Sequence, residues 1–211
     1  MSEKPIAQRG IGEYLSQLAS DAPTPGGGAA GALHLAQGAA LVAMVARLTN
    51  GKRFEAVAEQ VEAIATKCDA LLAESLELAD IDAVVFAHVI STYKLPRSTE
   101  EEKAARTAAI IEATVDATKP QLDTLRVGRD ILALAGELTP IANKMVLSDI
   151  AAAAQAVRAG LGTALVTLEI NIAALRGKTE ISSLIDSVDK VETAMELADR
   201  LAEQVRQEVS R

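Results

Sequence analysis

Apolar side chains recur every three or four residues along almost the whole chain, the spacing that places them on one face of an α-helix. No stretch alternates apolar and polar residues as a half-buried β-strand does. Proline, glycine and helix-capping residues divide the pattern into successive segments, and the third is either continuous or interrupted at residues 80–82. The pattern predicts an all-α protein with a short helix ending near residue 19 and longer helices at about 26–49, 54–93, 98–118, 120–140, 148–175 and 181–209.

Two of these helices begin with residues that commonly cap helix N-termini. Thr99 with Glu102, or Ser98 with Glu101, fits a capping box, in which each residue bonds the backbone N–H of the other. The acidic first turn also opposes the positive end of the helix dipole. We therefore expect a helix to start at residues 98–100, and Ser148 or Asp149 to cap a later one.

The last predicted helix carries a narrow apolar stripe with three- and four-residue spacing. Charged residues occupy the other positions, as in a coiled coil. Such a stripe needs a partner helix, either in the same domain or in a second copy of the chain. The stripe consists of Ile181, Leu184, Val188, Val191, Met195, Ala198, Ala202, Val205 and Val209.

Composition narrows the architecture to a bundle of closely packed helices. Hydrophobic residues make up 49% of the 211 residues, but aromatic residues only 2%. Ala, Leu, Ile and Val must therefore fill the core, and small side chains let helices approach closely. No repeat or composition shift marks a domain boundary. Residues 1–211 are predicted to form one domain, a dimeric bundle of long helices.

Charge and hydropathy argue against nucleic acid as a partner, a membrane span and a secretory signal. A net charge of -8 argues against nucleic acid, which requires clustered Lys and Arg. Residues 26–46 are uncharged and long enough to span a bilayer, but they are mostly Ala and Gly and lack a flanking basic cluster, which favours a core helix. Lys4 and Arg9 precede any long apolar run, so we expect a cytoplasmic protein without a secretory signal.

The few cysteine and histidine side chains give no metal or nucleophile motif. Cys68, His34 and His88 are too far apart in sequence for a typical metal site. His34 lies in an apolar run and is expected in the core. No metal is predicted.

Three junctions between helices contain candidate functional residues, and the first is rich in glycine. Gly26, Gly27 and Gly28 open a helix whose first backbone N–H groups could bind an anion. Because no Walker-type lysine follows, a tight turn that permits close helix packing explains the same residues equally simply.

The second junction combines a carboxylate, aromatic rings and cations. On one helix, Asp82 shares a face with Phe86 and Tyr93, and Lys94 and Arg97 follow at the helix end. This arrangement suits a flat heterocycle with an anionic tail. A solvated aspartate beside core aromatic residues would produce the same pattern.

The third junction contains Asn143, Ser148 and Asp149. Residues of these types close turns and cap helices more often than they bind ligands. Each is therefore a weak candidate by itself.

Together and in this order, the three junctions resemble the cyclodeaminase/cyclohydrolase family. This family includes the cyclodeaminase part of formiminotransferase-cyclodeaminase and separate methenyltetrahydrofolate cyclohydrolases. The resemblance covers about residues 8–176, and the Pro-Gly-Gly-Gly stretch is its most specific element. Ala29 stands where the family commonly has Ser, and Ala142 precedes Asn143 where the family often has Gly.

The resemblance implies an all-α homodimer that binds a reduced folate and needs no cofactor. For such a substrate Asp82 is the candidate base, because it alone lines up with Phe86 and Tyr93 on a face suited to a flat ring. Asp149 is the second candidate, and it would otherwise bind the pterin. The residues implied to contact the substrate are Gly26, Gly27, Gly28, Phe86, Tyr93, Asn143 and Ser148, with Lys52, Lys94 and Arg97 holding its glutamate carboxylates.

Two family reactions act on the same one-carbon bridge. Hydrolysis of 5,10-methenyltetrahydrofolate to 10-formyltetrahydrofolate is the expected one, because the chain has no transferase domain. Cyclodeamination of 5-formiminotetrahydrofolate, which releases ammonia, is the alternative. A non-catalytic helical dimer that acts through its last helix is an alternative of another class.

Overall fold

The computed structural model describes residues 4–209, without the side chain of Val209. Within these residues there are seven α-helices. They are α1 (Ile11–Leu18), α2 (Gly27–Leu48), α3 (Ala58–Thr92), α4 (Glu100–Asp116), α5 (Lys119–Leu138), α6 (Leu147–Leu175) and α7 (Ser182–Val209). Short 3-10 helices form at Ile6–Gln8, Lys52–Val57 and Lys144–Val146. The all-α prediction is confirmed, and α3 is continuous through residues 80–82.

One predicted helix start is confirmed and another is wrong. Thr99 Oγ1 accepts a hydrogen bond from the Glu102 backbone N–H at 3.2 Å, and Glu102 Oε2 accepts one from the Thr99 N–H at 3.2 Å, which completes the capping box. Helix α6 begins at Leu147, so Ser148 and Asp149 lie inside its first turn and do not cap it. Asp149 instead places a negative charge near the positive end of the helix dipole.

Helix α2 is the centre of the bundle and packs against α3, α5 and α6. Its contact with α6 depends on two facing glycines, because a Cβ at Gly160 would lie 2.7 Å from the Gly31 carbonyl oxygen. Such close approach explains why a chain with so few aromatic residues still has a closely packed core. The largest fully buried side chains include Leu35, Ile64, Ile131, Leu161 and Leu168.

Two apolar segments, Gly27–Leu48 and Lys144–Leu175, are long and apolar enough to cross a membrane by length and composition. In the first, 61% of the most apolar part is buried inside the fold. Helix α2 therefore lies in the core, as residues 26–46 were predicted to do. The second is 39% buried and exposes Val166 and Ile170.

The apolar stripe of α7 has its partner within the same chain. Helix α7 packs against α6 and α5. Its buried residues are Val191, Ala194, Ala198, Leu201, Ala202 and Val205. The side chain of Val209, the last residue of the predicted stripe, lies outside the described residues. The rest of the stripe is buried or half-buried inside the domain, and it gives no independent reason to expect a second copy.

Candidate active site

Asp82 lies on the buried face of α3, the same face on which earlier residues of this helix contribute apolar side chains to the core. Val61, Ile64, Cys68 and Leu78 are buried on the same helix at three-, four- and ten-residue intervals. Asp82 itself is only 9% exposed. A carboxylate at such a position is costly unless hydrogen bonds compensate for its lost hydration.

The carboxylate of Asp82 accepts hydrogen bonds from two other helices. Gln121 Nε2, at the start of α5, donates to Asp82 Oδ1 over 2.7 Å. The Ala29 backbone N–H, in the first turn of α2, donates to the same carboxyl group. Since the N-cap residue of α2 is Gly26, which has no side chain, Asp82 caps this helix from α3.

Gly28 makes this approach of Asp82 to α2 possible. A Cβ at Gly28 would lie 2.0 Å from Asp82 Oδ1 and 2.4 Å from its Cγ, far inside contact distance. At the neighbouring Gly27, a Cβ would meet only Thr163 Cγ2 at 3.8 Å, an ordinary contact. The glycine turn therefore serves close packing, and what it packs against is a carboxylate.

Burial raises the pKa of Asp82 above that of an exposed aspartate, while the hydrogen bonds from Gln121 and Ala29 oppose this rise. Tyr14, on α1, faces the same carboxylate. Burial, followed by the negative charge of Asp82, raises the pKa of the Tyr14 hydroxyl. This hydroxyl is buried without a hydrogen-bond partner among the described residues. The carboxylate thus combines a raised basicity with a fixed orientation.

A cavity of about 240 Å³ opens beside Asp82. Its walls are mostly apolar, with Phe86 42% and Ile170 64% exposed. Asn171 Nδ2 donates to the Ala117 carbonyl oxygen at 3.3 Å, which leaves the Asn171 Oδ1 as an acceptor. The lining residues are Gly26, Gly27, Gly28, Asp82, Val85, Phe86, Val89, Ala117, Pro120, Gln121, Thr167, Ile170 and Asn171.

The end of α3 continues away from this cavity towards exposed cations. Tyr93, the residue after α3, lies about 16 Å from Asp82 along the helix axis. The Arg106 guanidinium lies 5.5 Å from the Tyr93 ring centroid and donates to the Tyr93 carbonyl oxygen at 3.1 Å. Lys94 and Arg97 are exposed just beyond. Tyr93 does not line the cavity, so only Phe86 of the two predicted aromatic contacts lies there.

The remaining predicted site residues lie at the opposite end of the molecule. Asn143 Nδ2 donates to the Leu48 carbonyl oxygen at 2.9 Å, at the C-terminus of α2. Gly28 and Leu48 are separated by about 30 Å of helix. One chain therefore does not bring these residues to the Asp82 cavity, contrary to the single site that the three junctions suggested. The residues at the far end are Lys52, Asn143, Ser148 and Asp149.

The contacts of Asn143 give it a structural role at this far end. Its Oδ1 accepts hydrogen bonds from Arg53 at 2.8 Å and from the Met145 backbone N–H at 3.2 Å, and its own N–H donates to Thr49 Oγ1 at 3.0 Å. These bonds join the end of α2 to the segment before α6. A part in ligand binding for this group stays a prediction.

Several polar side chains at the cavity were not predicted from the sequence. Gln121 is 2% exposed on the buried face of α5. The helical periodicity could have identified it, because an amide at a buried position is almost always hydrogen-bonded. Thr167 and Asn171 are half-buried on α6 and also line the cavity. His34 was expected in the core but is half-buried, in a groove with Tyr14.

The cysteine and metal predictions concern other parts of the molecule. Burial raises the pKa of the Cys68 thiol to about 12, so it is protonated and a poor nucleophile at neutral pH. Within the described residues, no three His, Cys, Asp or Glu side chains cluster as metal ligands would.

Comparison with known proteins decides the family. The model of the formiminotransferase-cyclodeaminase family matches residues 10–190, most of the chain. The chain belongs to this family. Methenyltetrahydrofolate cyclohydrolase from Methylorubrum extorquens is 35% identical over 202 residues, which cover 95% of this chain and 97% of that protein.

Two further members of the family show how the domain is used. Formimidoyltransferase-cyclodeaminase from Rattus norvegicus is 29% identical over 81% of this chain, but the match covers only 32% of that longer protein. The crystal structure of formiminotetrahydrofolate cyclodeaminase from Thermotoga maritima superposes with a TM-score of 0.85 at 25% identity, covering 98% of this chain and 100% of that one. Because this chain matches that cyclodeaminase chain over its whole length, the argument from a transferase domain does not distinguish the two reactions.

Proposed function

We propose that this protein is a methenyltetrahydrofolate cyclohydrolase, which hydrolyses 5,10-methenyltetrahydrofolate to 10-formyltetrahydrofolate. The observation that carries the proposal is the 35% identity to the Methylorubrum cyclohydrolase along nearly the full length of both chains. The geometry of Asp82 supports it, because a buried carboxylate beside an apolar cavity suits a reaction that needs a base and a flat binding surface.

Asp82 acts as the base for the attacking water in this proposal. The bridging carbon of the methenyl group is an amidinium electrophile between N5 and N10. As the water oxygen forms a bond to this carbon, Asp82 takes one water proton. The tetrahedral adduct then collapses with cleavage of the C–N5 bond, and Asp82 returns the proton to N5. The formyl group stays on N10, and the proton released overall comes from the second O–H of the water.

The raised pKa of Asp82 suits this use, since a base is more effective as its pKa approaches the working pH. The apolar walls around Phe86 and Ile170 are exposed, and a flat ring that bound against them would displace water from them. Positioned base catalysis of this kind contributes on the order of 10²–10⁴ in rate, and orientation of the water adds to it.

The folate tail would follow α3 from the cavity towards its C-terminal end. A cavity of about 240 Å³ holds only part of such a ligand, whereas whole ligand sites commonly reach about 300–1,000 Å³. Lys94, Arg97 and Arg106 lie in the direction in which the glutamate carboxylates would extend. Lys52 lies at the far end of α2 and does not reach this path within one chain.

The deciding experiment measures loss of the methenyl chromophore by absorbance with purified protein. Turnover well above the spontaneous rate, abolished by Asp82→Asn, supports the proposal. A wild-type protein that folds but does not accelerate the loss would refute it, and the non-catalytic alternative would then follow only if the cyclodeamination assay were also negative.

Cyclodeamination of 5-formiminotetrahydrofolate is the second candidate. The superposition on the full-length Thermotoga cyclodeaminase favours it. A parallel assay should follow formation of the methenyl chromophore and release of ammonia from the formimino substrate. Faster turnover in that assay than in the hydrolysis assay would reverse the assignment.

A homodimer is part of the proposal, and it would also account for the split between the predicted site residues. A second copy could bring its own Asn143, Ser148 and Asp149 to the Asp82 cavity of the first. Apolar side chains exposed on the described surface, among them Ile11 at 81% and Ile170 at 64%, are candidates for burial between copies.

Two measurements test this assembly. Light scattering should give twice the chain mass. If Asp82→Asn and Asp149→Asn are each inactive, mixed dimers of the two variants should recover part of the activity. A fully active monomer would refute the assembly.

A cytoplasmic location is also proposed, supported by the buried and unpaired thiol of Cys68.

A further inference from the structure

Gln121 is the only side chain for which the structure shows a hydrogen bond to the Asp82 carboxylate within the described residues. The bond is 2.7 Å long, and Gln121 is 2% exposed, so water does not compete for the contact. The amide presents its NH₂ group to Asp82, the arrangement that an ionised carboxylate, which only accepts hydrogen bonds, requires. The orientation of the amide is thereby fixed, with its Oε1 on the other side.

The position of Gln121 is itself held by the start of α5. Pro120 lies in the first turn of this helix, where its missing N–H costs nothing and its ring sets the backbone angle. Pro120 and Gln121 both line the cavity, so the amide reaches Asp82 from a rigid helix terminus. The first turn of α2 reaches the same carboxylate through the Ala29 N–H.

Among the groups that face Asp82, Gln121 is the one whose side chain can be replaced to change the hydrogen bonding of the carboxylate. Helix α1 contributes the Tyr14 hydroxyl, whose pKa burial and the Asp82 charge raise, so it stays neutral. Helix α2 contributes a backbone N–H. The neutral residues at the cavity include Ala117, which follows the last residue of α4, and Thr167 and Asn171 of α6. Asp82 is the only charged residue among those lining the cavity.

We propose that Gln121 is a positioning residue that orients the Asp82 carboxylate and favours its ionised form through their hydrogen bond. Burial favours the protonated acid, which cannot accept a proton from water, and the amide N–H favours the carboxylate. The role rests on the proposed function, because Asp82 is a base only in that reaction. The hydrogen bond and its effect on the ionisation of Asp82 do not depend on the substrate.

Two substitutions separate this role from a purely structural one. Gln121→Met keeps a similar volume but removes the donor, so the acid limb of the kcat/KM profile should move to higher pH by about one unit. Activity should recover towards the wild-type level at alkaline pH, where Asp82 ionises again. Gln121→Glu places a second acid beside Asp82, and the pair should share a proton, which moves the limb further.

Thr124→Val is the matched control. Thr124 is buried one turn further along α5 and donates to the Pro120 carbonyl oxygen, and within the described residues it makes no hydrogen bond to Asp82. This variant should keep the wild-type pH profile. A uniform loss of activity at every pH in Gln121→Met, with an unmoved acid limb, would overturn the proposal.

A second readout needs no substrate. Protein labelled with ¹³C at aspartate carboxyl carbons is titrated by NMR, and the Asp82 signal is identified by its loss in Asp82→Asn. The midpoint of that signal should rise in Gln121→Met and stay in place in Thr124→Val. An unchanged midpoint would overturn the proposal even in an active enzyme. If the wild-type protein shows no turnover, the proposed function fails, and the midpoint alone decides the role of Gln121.

Discussion

Gly28→Ala is the sharpest perturbation that the structure offers. The new Cβ would lie 2.0 Å from Asp82 Oδ1, 2.4 Å from its Cγ and 2.6 Å from its Oδ2. The carboxylate is the end of a short side chain, so it must rotate away from the start of α2. That rotation breaks its hydrogen bonds to Gln121 and to the Ala29 N–H.

The expected magnitude follows from these two bonds. Each hydrogen bond to a charged group contributes about 1.5–3 kcal/mol, and a displaced carboxylate recovers part of this from water in the cavity. Alanine is favoured over glycine in a helix by up to about 1 kcal/mol. We therefore expect the free energy of unfolding to fall by about 2 kcal/mol. Because the base is misplaced, kcat should fall at least about a hundredfold.

The assay combines urea denaturation with turnover of the methenyl substrate. Gly27→Ala is the neighbouring control, since its Cβ meets only Thr163 at 3.8 Å, and it should fold with wild-type stability. Gly136→Ala, where a Cβ meets nothing within 4 Å, should leave kcat unchanged. A Gly28→Ala protein with wild-type kcat would refute the assignment of Asp82 as the base.

Three other variants test separate parts of the structure. Burial raises the folded-state pKa of Asp82, so the wild type loses stability as the pH rises through that pKa, and Asp82→Asn does not. The stability gained by Asp82→Asn in urea denaturation should therefore be larger at about pH 7 than at about pH 4, and an equal gain at both would contradict the raised pKa. Replacing Lys94 and Arg97 together by Ala should raise KM for a polyglutamylated substrate with little change in kcat, because contacts to the tail are the same in the ground and transition states; an unchanged KM would remove these residues from the binding path. Gly160→Ala would place a Cβ 2.7 Å from the Gly31 carbonyl oxygen and should lower the free energy of unfolding by about 1–3 kcal/mol in thermal or urea denaturation, whereas wild-type stability would mean that α2 and α6 separate easily.

Local sequence patterns predicted the helices well, because helix formation and capping depend on residues that are close together in the chain. The capping box at Thr99 and Glu102 forms as predicted. The start of α6 was missed by one residue. There Asn143 nucleates a 3-10 turn through the Met145 N–H before the helix begins, so Ser148 is already inside it.

The candidate base was also accessible from the sequence. Asp82 continues the three- and four-residue spacing of the buried positions of α3, and Phe86 follows one turn later on the cavity wall. Gln121 continues the buried spacing of α5 in the same way. A polar residue in a core register signals a hydrogen-bonded partner, but the spacing does not say which residue that partner is.

The sequence by itself therefore determined the helices, their buried faces and the family, since these depend on local periodicity and on ordered motifs. Only the tertiary structure decided which junctions meet. Helix α2 is about 30 Å long. Its N-terminal glycine turn contacts Asp82, and its C-terminal end contacts Asn143. It also decided that Gly28, rather than Gly27, is the glycine that Asp82 requires, because that depends on how closely α3 approaches α2. Distances between helices come from the packing of residues far apart in the chain, which no local pattern contains.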